Sequence, residues 1–339
     1  MVATVGQMGD DRVLVQSLRD MASLATPMAL RVAATLRLAD HIGEIGSTAE
    51  DLTERTATSA PALLRVLAHL VTIDILTLVE GTYRLTELGR QLLSGADNEL
   101  LLELDIDSAV GRGELAFVEL AHAVRTGEAA YPQRYGRDFW SDLAEVPALR
   151  KSFDAKMARR FRAILSQLAG RYDWGRFDTI VDVGGGQGAV LGAILRAHPS
   201  MQGQLVDLPA TAARAAEEFA AAGLDERVSV VAGSFFDPLP AGADAYLLSD
   251  ILHDWDDAHA HAILARCADA AGRSGTILIV ESVHGLGAHT GIDLTMLVLF
   301  GGRDRTLDEF TTLLDAHGLR LKSVVDIADH RTLLEVTTD

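Results

Sequence analysis

The chain has 339 residues, 48% of them hydrophobic, enough for one large core and a second domain. Its formal charge of −18 excludes nonspecific attraction to nucleic acid or an anionic membrane as a driving force. A single cysteine, Cys267, excludes an internal disulfide framework, and with no basic leader and no apolar run of bilayer length a soluble, cytoplasmic protein is expected.

Residues 11 to 45 carry apolar side chains at helical spacing, Leu14, Leu18, Met21 and Leu24, then Leu30, Val32, Ala33, Leu36 and Leu38. Pro27 interrupts the pattern and is expected to separate two helices. From Ser47 the chain reads as a winged helix-turn-helix. One helix begins at Thr48; another begins at Ser59, with Pro61 in its first turn, and runs to about Ile73. A two-stranded wing follows, 76–79 and 82–85, around Glu80-Gly81. That shape invites a DNA-binding reading, and the charges oppose it. Residues 1–100 hold eight arginines, no lysine and thirteen acids, and the second helix offers only Arg65 and His69 to a groove. Residues 1–100 are therefore expected to be a dimerisation domain whose leucine- and alanine-rich first helices pack on a second copy.

Residues 101–170 read as connecting helices, broken most clearly at Tyr131-Pro-Gln-Arg-Tyr-Gly136. Phe153, Met157 and Phe161 stand four apart on one helix face. They are either core or the wall of a pocket for a flat aromatic ligand, where methionine and phenylalanine offer polarizable contact.

Residues 171–339 alternate strand and helix as in a doubly wound sheet. The apolar strand 179–183 stops at Gly184, Gly185 and Gly186, and a helix is expected from Gln187 to Ala197. Backbone without Cβ atoms can lie against a ligand, and the helix N-terminus presents unpaired N–H groups to it. Asp207 closes a second strand, 203–207, where a ribose-binding acid is expected. Further strands are expected at 228–232, 245–249 and 276–281. The last two, 319–326 and 331–336, are joined by so few residues that they must pair antiparallel. Gly184-x-Gly186-x-x-Ala189 also satisfies the nicotinamide dinucleotide pattern, which accounts for neither the closing hairpin nor Leu252-His-Asp-Trp255.

Five segments stand in order: Val181-Asp-Val-Gly-Gly-Gly-Gln-Gly188, Val206-Asp-Leu-Pro209, Gly233-Ser-Phe-Phe-Asp-Pro-Leu-Pro240, Leu252-His-Asp-Trp-Asp-Asp257 and Gly301-Gly-Arg-Asp-Arg-Thr306. Together they resemble the S-adenosylmethionine-dependent O-methyltransferases of the plant caffeate type. The bacterial branch acting on aromatic polyketide and naphthoate intermediates is the closer likeness, carried also by Asp107-Ser-Ala-Val-Gly-Arg-Gly-Glu-Leu-Ala-Phe-Val-Glu-Leu-Ala121 and the Tyr-Pro and Phe-Trp segments after it. The resemblance covers the chain from about residue 20 onward. It implies an α/β fold: a Rossmann-like, seven-stranded methyltransferase sheet with a C-terminal antiparallel hairpin, over 171–339, behind a mainly α winged-helix dimerisation domain. It also implies S-adenosylmethionine as donor and S-adenosylhomocysteine as product. Gly184, Gly185 and Gly186 would meet the donor's methionine end, and Asp207, with Leu208 beside it, the ribose. Ser234, where many relatives carry Asp, and Phe235 would flank the adenine, and Ser249 would touch the donor.

A sulfonium methyl is already a strong electrophile, so the protein must supply an aligned phenolate. A free phenol has a pKa near 10, which makes a positioned base useful. His253 follows the fourth strand at its C-terminal end, where open α/β sheets place their chemistry. A histidine base is aimed by a carboxylate on its other nitrogen. Glu281, ending the fifth strand, is the first candidate; the resemblance places a second at Asp304, where relatives usually carry Glu. Catalysis by holding donor and acceptor together, with the histidine dispensable, is the competing mechanism. The acceptor pocket is expected to combine Phe153, Met157, Met296 and Phe300 with Asp293, which would accept a hydrogen bond from an acceptor hydroxyl. No cluster has metal-ligand spacing, since His259 and His261 fall within an ordinary helix. The expected enzyme is a homodimer that methylates a small hydroxylated aromatic and binds neither nucleic acid nor membrane. N- or C-methylation, donor-assisted hydroxylation on the same fold, and a small-molecule-sensing winged-helix regulator are the alternatives.

Overall fold

The computed structural model describes residues 5–338 apart from 99, 287–289 and 329, with the side chains at 5–12, 161–164, 166 and 328 also outside the description. The chain divides into two compact units, Met1–Arg112 and Gly113–Asp339.

In the first unit, helices Val5–Ala22 and Ala25–Thr35 are separated at Ser23 and Leu24. Pro27 was expected to make that break. It lies instead in the first turn of the second helix, where its missing N–H has no intrahelical partner to lose. Thr48 caps helix Ala49–Thr56 through a capping box with Asp51, and Pro61 sits in the first turn of Ala60–Thr72. The wing strands Leu76–Val79 and Thr82–Leu85 pair antiparallel through Glu80 and Gly81, both left-handed, and Ser47–Thr48 adds a third strand. Leu38, Ile42, Leu52, Leu63, Leu67, Leu70 and Tyr83 form this unit's core. Val13, Leu14, Leu18, Met21 and Leu24, by contrast, are between 62% and 83% exposed and form an apolar stripe.

The second unit is built on seven strands: β1 (Thr179–Val183), β2 (Gln202–Asp207), β3 (Val228–Ala232), β4 (Ala245–Ser249), β5 (Thr276–Ser282), β6 (Leu319–Ala328) and β7 (Arg331–Thr338). Their order is β3-β2-β1-β4-β5-β7-β6. The first five in that order are parallel, and β7 runs antiparallel between β5 and β6. Period-two alternation divides the strands between two cores. Tyr246 and Leu248 pack on one face of the sheet with helices Asp257–Ala271 and Leu307–Asp315; Ala245 and Leu247 pack on the other with helix Ala189–Ala197. Both faces being covered, the central strands read as apolar runs, interrupted in β1 by Asp182. Tyr131–Tyr135, expected as a break, forms a five-residue helix that ends at left-handed Gly136. Among the described residues no helix is long and apolar enough to cross a membrane.

Candidate functional site

The C-terminal ends of β1, β2, β4 and β5 carry the chemistry. After β1 the glycine turn is shaped by its lack of side chains. Gly184 is left-handed (φ 71°) and donates its N–H to the Val206 carbonyl at 2.8 Å, fastening the turn to β2. A Cβ on Gly185 would stand 2.5 Å from Asp182 Oδ2, and one on Gly188 2.1 Å from the tip of the Phe219 ring. A Cβ on Gly186 would meet nothing within 4 Å, so the space over this residue is open to a ligand.

Asp207 does more than its place at the end of β2 suggested. Its Oδ2 accepts the Gly186 N–H at 2.9 Å and its Oδ1 the Leu208 N–H at 2.7 Å, so the acid also holds the glycine turn in shape. Burial raises its carboxyl above the usual range, against the pull of those two N–H groups. Leu208 is half-exposed. The Phe235 ring would lie 3.2 Å from a Cβ on Gly184, beside the turn, and stands edge-on to Trp255. Ser234 Oγ accepts the Phe236 N–H at 3.2 Å and shapes that loop. Ser249 Oγ, at the end of β4, is buried with no hydrogen-bond partner among the described residues. An open glycine cradle and an unsatisfied buried hydroxyl both suit a polar ligand such as a nucleoside.

Two acids here were not anticipated. Asp182 lies in β1 beneath the turn, 1% exposed, and burial together with Asp207 pushes it up to about 7. Asp154, on helix Pro147–Gly170, is buried with its carboxyl raised by burial; Arg150 lies 3.8 Å and Arg214 3.7 Å away. The signal for Asp182 was an acid inside an otherwise apolar strand.

His253 sits in a 3₁₀ turn, Leu252–Asp254, that follows β4 after Asp250, a non-glycine residue at φ 52°. The ring is 3% exposed. Its Nδ1 lies 3.6 Å from Asp304 Oδ1 and its Nε2 3.5 Å from Asp254 Oδ1, ion-pair contacts longer than hydrogen bonds. Burial disfavours a charged ring, but Asp304, Asp254, Glu281 and Asp250 together raise the imidazole to about 9. Asp254 is pushed up to about 7 by burial. Burial would also raise Asp250, but Arg160 and Arg331 hold it at about 2, the Arg331 guanidinium gripping it from 2.8 Å.

Glu281, expected to aim the imidazole, has turned elsewhere. Its Oε1 accepts the backbone N–H groups of Ile251, Leu252 and His253, at 3.0 Å from Ile251 and 3.3 Å from His253. These are unpaired donors at the start of a helical turn, which a carboxylate satisfies. Glu281 therefore fixes the turn and not the ring, and Asp304 is the acid facing Nδ1. Asp293, expected to receive an acceptor hydroxyl, takes the Asp304 N–H at 2.8 Å and so holds the loop that carries Asp304.

Beside these groups lies an aromatic cluster. Among Phe139, Trp140, Phe153 and Phe300, five ring pairs have centroids 5.1 to 5.7 Å apart; Trp140 and Phe300 are stacked (13°) and the other four of these pairs meet edge to face. Trp140, Phe153 and Phe300 are partly exposed, while Phe139 and Met296 are buried. Met157 is partly buried one turn from Phe153, and the Phe161 side chain lies outside the described residues. Phe139 and Trp140 were not among the expected pocket residues; two adjacent aromatics opening helix Phe139–Glu145 were the available signal. Among the described residues no group of three or more histidines, cysteines or acids could hold a metal ion.

Residues 117–320 match the O-methyltransferase domain, and residues 19–95 the O-methyltransferase dimerisation domain. The chain is 48% identical over 322 residues to 2,7-dihydroxy-5-methyl-1-naphthoate 7-O-methyltransferase of Streptomyces carzinostaticus, covering 94% of this chain and 97% of that one. It is 42% identical over 322 residues to aclacinomycin 10-hydroxylase RdmB of Streptomyces purpurascens, covering 92% of this chain and 86% of the relative. In three dimensions it matches the crystal structure of the O-methyltransferase NcsB1 from neocarzinostatin biosynthesis, in complex with S-adenosylmethionine and 2-hydroxy-5-methyl naphthoic acid. The TM-score is 0.91 at 48% identity, over 95% of this chain and 98% of that one.

Proposed function

The chain belongs to the O-methyltransferase family, and from that premise we propose that it methylates a phenolic hydroxyl of a naphthoate- or polyketide-type aromatic, with His253 taking the proton. It uses S-adenosylmethionine, releases S-adenosylhomocysteine, and pairs as a homodimer through its N-terminal domain. The exposed apolar stripe Val13 to Leu24 supports that pairing. We place the enzyme in the cytoplasm, where Cys267, buried and unbridged, stays a thiol.

The observation that carries the reading is a buried imidazole set among carboxylates at the end of β4, on the same edge of the sheet as an open glycine cradle. When bound, the donor supplies an electrophilic methyl group on a sulfonium. Gly184, Gly185 and Gly186 let the backbone approach it, Asp207 accepts from its ribose hydroxyls, and Ser249 Oγ gains a partner. Phe235 and Ser234 flank the adenine. Trp140, Phe153, Met157 and Phe300 offer flat apolar faces to the acceptor ring, excluding water and orienting its hydroxyl.

His253 then draws off the phenolic proton. Each pKa unit is worth about 1.4 kcal/mol, so moving a proton from a phenol (pKa about 10) to an ordinary imidazole (about 6.5) costs roughly 5 kcal/mol. A ring that its neighbouring carboxylates raise to about 9 takes the proton at a much smaller cost. The surrounding carboxylates thus make His253 a stronger base, and the imidazolium they stabilise stays beside the phenolate. The offsetting cost is that fewer rings are neutral until the pH nears 9.

The 42% identity to a hydroxylase favours a second reading, in which the same fold and donor assist hydroxylation. The test is to incubate the enzyme with S-adenosylmethionine and a panel of hydroxylated naphthoates, anthracyclinones and simple phenols. Release of S-adenosylhomocysteine with a gain of one CH₂ on oxygen is expected. A gain of oxygen would select the second reading, and no turnover across the panel would overturn the first.

A further inference from the structure

The turn that carries His253 is held at both ends by buried charge. Glu281 Oε1 takes its N–H groups, as described above. At the other end the Arg305 guanidinium, 1% exposed, takes its carbonyls: Nη1 donates to Leu252 O at 2.8 Å and Nη2 to Trp255 O at 2.9 Å. The same guanidinium is steadied by Asp257, whose Oδ1 accepts from Nε at 3.1 Å and from Nη2 at 2.8 Å. Carboxylate at the amide end and guanidinium at the carbonyl end match the dipole of a helical turn.

Arg305 is also rigidly placed. It bridges to Val283, its carbonyl accepts the His284 N–H at 2.9 Å, and it follows Asp304 directly. The loop reaches the turn so closely that a Cβ on Gly302 would stand 2.1 Å from the His253 carbonyl oxygen. One short segment, Gly302 to Arg305, therefore sets both the backbone under the imidazole and the carboxylate facing its Nδ1.

We propose that Arg305 is a positioning residue for the reaction: it fixes the Leu252–Trp255 turn, and through it the distance and angle between the His253 ring and the acceptor hydroxyl. Lysine cannot replace it, because one ammonium lacks the planar fork that spans two carbonyls and a carboxylate. A misplacement of about 1 Å at a reacting group can cost on the order of 10²-fold in rate. The inference rests on His253 being the proton acceptor.

The experiment is a double-mutant cycle of Arg305→Lys and His253→Ala, read as kcat at saturating donor and acceptor, with S-adenosylhomocysteine affinity by calorimetry as the second readout. Arg305→Lys is expected to lower kcat about 10- to 100-fold and to leave product affinity within about twofold. In the His253→Ala background the same change should cost less than about twofold, because its route of action has been removed. If the two losses multiply, or product affinity falls as far as kcat, Arg305 shapes the cleft generally and the proposal is overturned. If His253→Ala alone stays within about threefold of wild type, the base reading falls, and this one with it. Should Arg305→Lys not fold, Asp257→Ala enters the same cycle. It keeps the guanidinium and removes its half-exposed anchor, and a smaller loss of kcat that vanishes without His253 is expected.

Discussion

Replacing Asp207 by alanine separates donor binding from the chemistry. The carboxylate already accepts two backbone N–H groups, from Gly186 and Leu208. A carboxylate has about four acceptor sites, so roughly two are left for the ribose hydroxyls. Hydrogen bonds to a charged group contribute about 1.5–3 kcal/mol each, but in the alanine variant water takes the carboxylate's place against the ribose hydroxyls and returns about half of that or more. The loss in S-adenosylhomocysteine affinity should therefore be about 1–3 kcal/mol, or roughly 5- to 150-fold in Kd. Titration calorimetry well below the melting temperature measures it without interference from the lower stability that a loosened glycine turn brings. Asp207→Asn keeps one acceptor oxygen and should recover part of the loss. An alanine variant that binds within about twofold of wild type would refute the assignment of the ribose to this acid and would move the donor elsewhere.

Other perturbations probe the cradle, the acceptor pocket and the dimer. Gly185→Ala drives a methyl to 2.5 Å from Asp182 and 2.9 Å from Leu205, so thermal or urea unfolding should show a loss of about 1–3 kcal/mol. Trp140→Ala removes the stack on Phe300 and an edge contact with Phe153, each worth about 0.5–1.5 kcal/mol. The acceptor KM should rise about tenfold while S-adenosylhomocysteine affinity holds, and a donor defect instead would take Trp140 out of the acceptor pocket. Leu18→Glu with Met21→Glu puts two charges on the exposed stripe and should give monomers by light scattering; an unchanged dimer would place the interface on another face.

What the sequence makes legible is what repeats locally. Alternating apolar strands, the glycine turn and the short link before β7 each leave a pattern within a few residues, and the sheet follows from them. The place of His253 just after β4 was legible too. Its surroundings were not, because Asp250 meets Arg331 and Arg305 meets Leu252 across long stretches of chain, where no spacing rule applies. Glu281 shows the limit most clearly: position at a strand end identifies the residue and says nothing of where its carboxylate turns. Three unpaired N–H groups at the start of a 3₁₀ turn were the stronger attraction. Asp293 likewise gives one oxygen to the Asp304 N–H, eleven residues away, a partner that its place on a helix face does not reveal. The aromatic cluster joins residues 139–140, 153 and 300, so its stacked pair has no signature in either segment alone.

The most direct measurement is kcat/KM for the donor as a function of pH, in wild type and in His253→Ala, because this ratio reports the free enzyme's ionisations. The neutral ring is the base and its pKa is raised to about 9, so the wild-type value should climb with pH through about 9 and level off above it. His253→Ala should be slower by about 10²- to 10⁴-fold and should lack that limb. A variant within about threefold of wild type, with the same pH profile, would contradict proton removal by His253 and leave proximity as the source of the rate.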